Sequence, residues 1–175
     1  RADHQVDALL AAGAYYGVQT MRALENFNIT GITNASEPLF IEAFAFVKKA
    51  AAMANRDCGV LVPEIAEAIC LASDKLIAGD YLDQFVTDMI QGGAGTSVNM
   101  NVNEVIANIG LEFLGHEKGQ YDFLHPNNHV NCSQSTNDTY ATALMMAVHF
   151  KVKVYLQALT ELRESFLNKS EEFKD

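Results

Sequence analysis

Basic residues are scarce in this sequence. Lysine and arginine number 12 against 22 aspartates and glutamates, and the formal net charge is −10. No basic cluster follows the path of a nucleic-acid backbone, so the composition argues against a nucleic-acid partner. An anionic small molecule would need a local positive site, because the overall field of the chain repels it.

Cysteines and long apolar runs are also few. The three cysteines show neither CxxC nor Cys–His metal spacing, and an odd count without a signal peptide indicates free thiols in a reducing cytoplasm. We expect Cys58 and Cys70 to be small core residues. No apolar run reaches the roughly 20 residues that span a bilayer. The sequence therefore predicts a cytoplasmic protein with no membrane partner.

Two polar segments each run straight into a helical pattern. The first polar segment, GAGTSVNMNVNEV, covers 93–105, and the second, HVNCSQSTND, covers 129–138. Unpaired backbone N–H groups and the positive end of the macrodipole attract anions at helix starts. The side chains that we expect to grip a small carboxylate there are Thr96, Ser135, Thr136 and Asn137. The competing interpretation is that these residues are ordinary N-caps.

Apolar periodicity predicts an all-α fold. Helices are expected from Pro38 to about Arg56 with Ser36 as N-cap, from Pro63 to about Ala78, over 81–89, and from the first polar segment to Gly115. Glycines 59, 79 and 115 are the expected helix ends. Residues 13–35 carry turn signals and predict an irregular lead-in, and 115–130 predict a polar loop.

The last segment predicts one long helix, from Asp138 to Asp175. These residues include no proline or glycine, and apolar residues recur there at alternating steps of four and three, a heptad seam. Such a helix is about 55 Å long, which exceeds the diameter of a domain of this size. Its seam must therefore find partners outside the preceding residues. We expect a domain at 1–137 and, at 138–175, the first helix of a helical bundle that continues in a longer protein.

Other polar residues are secondary candidates. Arg22 lies among apolar residues and predicts either a buried ion pair with Glu25 or a carboxylate clamp. His125 and His129 are candidate general bases, but without a nearby carboxylate or cysteine they do not indicate a metal site. Asn99 and Asn103, which share a helix face at i,i+4 spacing, are expected to tie that helix to loops.

Three segments resemble the aspartase/fumarase superfamily over essentially the whole chain. They are GAYYGVQTMRALENFNITG, GAGTSVNMNVNEVIANIGLEFLGHEKGQY and HPNNHVNCSQSTNDTYAT, in that order. Ala94 and Ser97, where class II fumarases usually read GSGTQ, favour the aspartase branch, as does SQSTND. The resemblance implies a mostly helical subunit of about three domains, with long central helices packed in a homotetramer and active sites where three subunits meet.

The implied reaction is the reversible elimination of ammonia from L-aspartate to give fumarate, with no cofactor or metal. By resemblance, Thr96, Ser135 and Thr136 bind the carboxylate that becomes an enediolate, and Asn137 positions the substrate. The implied base is a serine on a GSS-type loop. These 175 residues contain no GSS, so we expect the base serine beyond Asp175. The chain alone is therefore expected to be inactive, as the N-terminal part of such an enzyme.

Weaker expectations and two alternatives accompany this interpretation. Ser97 and Arg22 are further candidates for substrate binding. A second anion site of class II fumarases matches His125, Asn127 and Asn128, although Asn128 stands where an acidic residue is usual. One alternative is a class II fumarase, with water in place of ammonia. The other is a helical oligomerisation module without catalysis, in which the polar segments only cap helices.

Overall fold

The computed structural model describes residues 13–174, and this part of the chain is mainly helical. The α-helices of this part are α1 Val18–Asn26, α2 Pro38–Asp57, α3 Pro63–Ile77, α4 Thr96–Phe113 and α5 Thr136–Glu172. Short 3₁₀ or π turns lie at Asn34–Ser36, Leu82–Gln84, Gly93–Gly95 and Pro126–Val130. Among residues 13–174 there is no β-strand, and one isolated β-bridge pairs Thr33 with Asp88. The all-α fold class predicted from the sequence is confirmed.

Most predicted helix ends agree with the structure. Helices α2 and α3 begin with a proline in the first turn, and α2, α3 and α4 each end shortly before a glycine, as expected. The predicted N-cap Ser36 is wrong. Glu37 occupies that position, and the Ser36 hydroxyl instead donates to the Thr33 carbonyl at 2.7 Å.

The long helix predicted from Asp138 to Asp175 has slightly different ends. It begins earlier, at Thr136, because Ser135 supplies the N-cap. It ends earlier too, at Glu172, and Phe173 follows with φ of −103° and ψ of 20°, which is not helical backbone. Asp175, the predicted last residue of the helix, lies outside the described residues, as do residues 1–12 of the predicted first domain.

Two predictions about local structure are wrong. Helix α1 lies inside residues 13–35, where an irregular lead-in was expected. Residues 81–89 form only the short turn Leu82–Gln84 instead of a helix. Tyr81, just before that turn, has a left-handed backbone with φ of 61°, which does not continue a right-handed helix.

Helix α4 runs through the middle of the described part. Every residue from 101 to 111 is buried, and α4 packs on α1, α3 and the π turn. It lies in an apolar cluster whose fully buried members include Phe44, Phe85, Ile41, Ile69 and Leu76. A helix buried on all sides is normally apolar throughout, so the asparagines and the glutamate of α4 need partners. Those partners form the site described below.

Helix α5 packs only near its start. Thr139, Ala143 and Ala147 are buried, whereas all residues from 151 to 174 are exposed. The predicted heptad seam points away from the packed side. Its exposed members are Ala141, Met145, Val148, Val152, Tyr155, Leu159, Leu162, Phe166 and Phe173. No helix within residues 13–174 is both long and apolar enough to cross a bilayer.

The three cysteines are free thiols in different surroundings. Cys70 is buried, as predicted, and burial raises the pKa of its thiol. Cys58 is exposed, so the prediction that it is a core residue is wrong. It follows the last residue of α2, at the point where the chain turns into a surface loop.

Candidate functional site

The starts of α4 and α5 lie side by side. Asn99, in the first turn of α4, places its Nδ2 3.0 Å from the Oγ1 of Thr136, the first residue of α5. Gly95 packs so closely on Tyr140 that an added Cβ would lie 2.0 Å from the ring. The fold therefore brings the two polar segments together. We use the name cradle for the four residues that they contribute: Thr96, Ser135, Thr136 and Asn137.

Thr96 is exposed at the first position of α4. Its hydroxyl donates to the Gly93 carbonyl at 2.6 Å, which closes the turn before the helix. Three successive residues of that turn, Gly93, Ala94 and Gly95, have positive φ values of 68°, 50° and 91°. Ser97, next to Thr96, is half-buried.

The other three cradle residues open α5. Ser135 is exposed and caps the helix, since its oxygen accepts the Asn137 N–H at 3.3 Å. Thr136 is half-buried and Asn137 exposed. Ser135 therefore has the N-cap function of the competing interpretation, but its proton remains available as a donor. The cradle offers neutral hydroxyl and amide donors at the positive ends of two helices, an arrangement that can hold a carboxylate.

A buried lysine lies beneath the cradle, and sequence reasoning missed it. Lys48 of α2 is 0% exposed, and its Nζ lies 3.0 Å from both Asn131 Oδ1 and Gln134 Oε1. These two partners belong to the second polar segment, just before Ser135. Burial lowers the pKa of Lys48 to about 7, since desolvation disfavours the charged form.

The signal for Lys48 was present in the sequence. Lys48 lies four residues after Phe44 and four before Ala52, both of them buried on α2. A lysine on the apolar face of an amphipathic helix either extends its charge to solvent or has a buried partner. The adjacent Lys49 is the ordinary case, because it forms a partly exposed ion pair with Asp74.

Buried amides extend this network across α4. Asn99 Nδ2 and Asn103 Nδ2 each donate to Asn131 Oδ1 at 3.1 Å, and Asn131 Nδ2 donates to the Gln134 carbonyl at 3.1 Å. The predicted role of Asn99 and Asn103 in tying their helix to loops is confirmed. Asn101, on the same helix, instead donates to the Gln84 carbonyl at 3.1 Å.

The turn Pro126–Val130 holds the predicted second anion site. His125 Nδ1 accepts the N–H groups of Asn127 at 3.0 Å and Asn128 at 3.3 Å, and the N–H of His125 donates to His129 Nδ1 at 2.9 Å. Each ring therefore uses Nδ1 as an acceptor and carries its proton on Nε2. In that tautomer neither histidine has a free basic nitrogen, so this geometry does not support the general-base role.

Exposed side chains surround this turn. Asn127 and Asn128 are exposed. Within residues 13–174, neither His125 nor these asparagines form a hydrogen bond with a cradle side chain. Desolvation and the nearby His125 lower the pKa of His129. Within the same residues, no group of three or more His, Cys, Asp or Glu side chains converges as a metal site would require.

The structure contradicts one of the two predictions for Arg22. It lies exposed on α1, so the buried ion pair is wrong, and the carboxylate clamp stays a prediction. The ion pairs among residues 13–174 do not include one between Arg22 and Glu25. Because the Arg22 guanidinium is exposed, it remains available to bind an anion.

A buried carboxylate, also missed from the sequence, holds the start of α1, the helix that carries Arg22. Glu104 of α4 is 2% exposed. Its carboxylate accepts the N–H groups of Gly17 and Gln19 at 2.8 Å, and both the N–H at 3.1 Å and the hydroxyl at 2.7 Å of Thr20. A negative charge at the start of a helix satisfies its free N–H groups and its dipole. Glu104 performs the capping that α1 lacks locally.

Replacing Glu104 by glutamine is expected to lower the free energy of unfolding by about 2–4 kcal/mol. The side-chain NH₂ of glutamine would face the N–H groups at the start of α1, and this helix start would lose the negative charge of Glu104. Urea unfolding followed by circular dichroism measures the change. Glu67→Gln is the matched control, because Glu67 is exposed on α3 and its replacement removes the same charge. Equal stability of E104Q and E67Q would contradict this account of α1.

The fold and the cradle can now be compared with known proteins. A family model described as "Lyase" matches residues 9–175, nearly the whole chain. The chain belongs to this lyase family. The resemblance to the aspartase/fumarase superfamily predicted from the three segments is thereby confirmed.

Relatives of the lyase family are close in sequence and in structure. An aspartate ammonia-lyase of Helicobacter pylori is 55% identical over 159 residues, which cover 91% of this chain and 34% of that protein. The crystal structure of a Brucella melitensis fumarate lyase:delta crystallin matches with a TM-score of 0.90 and 48% identity, covering 91% of this chain and 36% of that one. A class II fumarase of Schistosoma mansoni matches with a TM-score of 0.72 and 34% identity, covering 77% and 28%. The chain thus spans about a third of the length of the curated relatives it matches.

Proposed function

We propose that the protein containing this chain eliminates ammonia reversibly from L-aspartate to give fumarate. The observation that carries the proposal is the cradle, where two helix starts from separate polar segments present hydroxyl and amide groups together. Similarity to lyases that are named aspartate ammonia-lyase, at 50–55% identity, supports this reaction. The aspartase-like residues Ala94 and Ser97 favour the same substrate.

The cradle residues act on the carboxylate next to the carbon that loses its proton. Ser135 and Thr136 donate hydrogen bonds to this carboxylate, and Asn137 positions the substrate. Thr96 joins them by turning its hydroxyl proton from the Gly93 carbonyl to the substrate. When the proton leaves, the carboxylate gains negative charge as an enediolate. Fixed neutral donors stabilise this added charge without reorganising during the reaction. They also provide a local anion site in a chain whose net charge is −10.

The base and the rest of the active site are proposed to lie beyond Asp175. By resemblance the base is a serine of a GSS-type loop, and the sequence of 175 residues has no GSS. We propose that the chain alone is inactive and that the full-length protein is a homotetramer. The exposed seam of α5 supports the tetramer, because a face of this length with Met145, Phe166 and Phe173 uncovered calls for helices from other subunits. Free thiols fit a cytoplasmic protein.

A class II fumarase is the second candidate. The structural similarity to the Schistosoma mansoni fumarase favours it, since the same cradle would serve a substrate with a hydroxyl group in place of the amine. The second anion site of that branch gains less support. Its counterpart in this chain has exposed Asn127 and Asn128 and no acidic side chain at position 128.

The test measures turnover by the full-length protein. Fumarate absorbs in the ultraviolet, so its appearance from L-aspartate or from L-malate is followed directly. We expect formation from aspartate and none from malate, with no activity in the 175-residue chain. If malate is turned over and aspartate is not, the protein is a fumarase and the proposed ammonia-lyase activity is wrong. If neither substrate is turned over, the remaining interpretation is the oligomerisation module without catalysis.

A further inference from the structure

The buried amides beneath the cradle have a single consistent orientation, set at Asn131. The backbone carbonyl of Gln134 can only accept, so Asn131 must present Nδ2 to it, at 3.1 Å. Asn131 Oδ1 then faces Lys48, whose Nζ donates to it and to Gln134 Oε1, both at 3.0 Å.

The orientation of Asn131 decides that of Asn99. Asn131 Oδ1 can only accept, so the neighbouring Asn99 must present its Nδ2, at 3.1 Å. Asn99 Oδ1 is then turned toward the Thr139 hydroxyl at 3.2 Å, whose one proton is shared between this oxygen and the Ser135 carbonyl at 3.1 Å. Asn99 is 0% exposed, and a flipped amide would set two oxygens against each other without water to separate them.

Asn99 in turn decides what Thr136 does. The second proton of Asn99 Nδ2 points at Thr136 Oγ1, at 3.0 Å. An amide nitrogen accepts no hydrogen bond, so Thr136 cannot donate to Asn99. Within residues 13–174, Thr136 Oγ1 takes part in no other hydrogen bond. Its proton is therefore left for the open side of the cradle.

We infer that Asn99 is a positioning residue that makes the Thr136 hydroxyl a hydrogen-bond donor to the substrate carboxylate, with Lys48 and Asn131 holding Asn99 in place. The inference rests on the proposed function for the identity of the ligand.

Two substitutions of Asn99 in the full-length protein test the inference. Aspartate has the same shape but only accepts, so in Asn99→Asp the Thr136 hydroxyl turns inward. We expect kcat for L-aspartate to fall about a hundredfold, as for a lost transition-state donor. Asn99→Leu removes the amide without adding an acceptor or a charge. It is expected to lower kcat by only about tenfold, the effect of one ordinary hydrogen bond, with KM changed less than kcat.

A double-substitution cycle separates positioning from structural damage. In a Thr136→Ala background, N99L has no hydroxyl to orient and is expected to lower kcat no further. Asn101→Leu is the matched control, at a buried asparagine of the same helix whose amide bonds to Gln84 instead. Any loss of kcat in N101L is expected to persist in full in the Thr136→Ala background. Thermal unfolding of each variant confirms that folded protein is compared.

The outcomes distinguish the inference from the proposed function. Turnover of aspartate by the unmodified protein, with the N99L loss present alone and absent beside Thr136→Ala, supports the inference. If the unmodified protein is active but N99L lowers kcat equally in both backgrounds, or N99D retains full activity, the inference is overturned and the proposed function stands. If the unmodified protein turns over neither substrate and fumarate fails to bind in calorimetry, both are overturned.

Discussion

Replacing Thr136 by alanine in the full-length protein is expected to lower kcat for ammonia elimination by about a hundred- to a thousandfold. Thr136 is half-buried at the first position of α5 and accepts a hydrogen bond from Asn99, so its proton is free for a ligand. Alanine suits the helix position, and the substitution removes the hydroxyl together with the γ-methyl group. Initial rates of fumarate formation over a range of aspartate concentrations separate kcat from KM.

Thr136→Ser is the matched control for this experiment. Serine keeps the hydroxyl and is expected to retain most of the activity, while size-exclusion chromatography verifies the same assembly in both variants. Unchanged kcat and unchanged binding of fumarate in T136A would mean that the cradle only caps helices. In that case the oligomerisation module would explain the chain better than the enzyme does.

Gly95→Ala is expected to lower the free energy of unfolding by about 2–5 kcal/mol, from overpacking together with left-handed backbone strain. A Cβ at this position would lie 2.0 Å from Cδ2 and 2.3 Å from Cγ of Tyr140, and the backbone φ is 91°. Tyr140 is held by edge contacts with the rings of Phe40 and Phe44. It has little freedom to move away, so the start of α4 must shift relative to α5.

Gly79→Ala separates the two causes. Gly79 has a similar φ of 88°, but nothing lies within 4 Å of an added Cβ. This variant is expected to lose only the backbone part, about 1–2 kcal/mol. Urea unfolding at equilibrium compares the two proteins. Equal losses in G95A and G79A would show that contact with Tyr140 does not limit the approach of the helices.

The parts of the fold that sequence reasoning predicted depend on local chemistry. Helices α2, α3 and α4 show apolar periodicity and end near Gly59, Gly79 and Gly115, signals that act within a few residues. The seam of α5 is likewise a periodic pattern, and its exposure follows from a helix longer than the domain. The polar segments were identified as helix starts for the same reason.

The parts that were missed depend on contacts distant in sequence. Helix α1 takes its capping group from Glu104, more than 80 residues away, and nothing in 13–35 indicates it. Lys48 resembles an ordinary helical lysine until the fold places Asn131 and Gln134 against it. A buried ion pair was one prediction for Arg22 because its neighbours are apolar, but of these neighbours Ala23 is buried and Leu24 is exposed.

The exposed part of α5 has a consequence for the energetics of the chain. All residues from 151 to 174 are exposed, with Lys151 paired to Glu37 at the start of this stretch. A helix without a packed face is only marginally stable in water. The folding of this helical segment then depends on the concentration of the partner that covers its apolar side. By mass action, dilution would melt this segment first and leave the remaining helices folded.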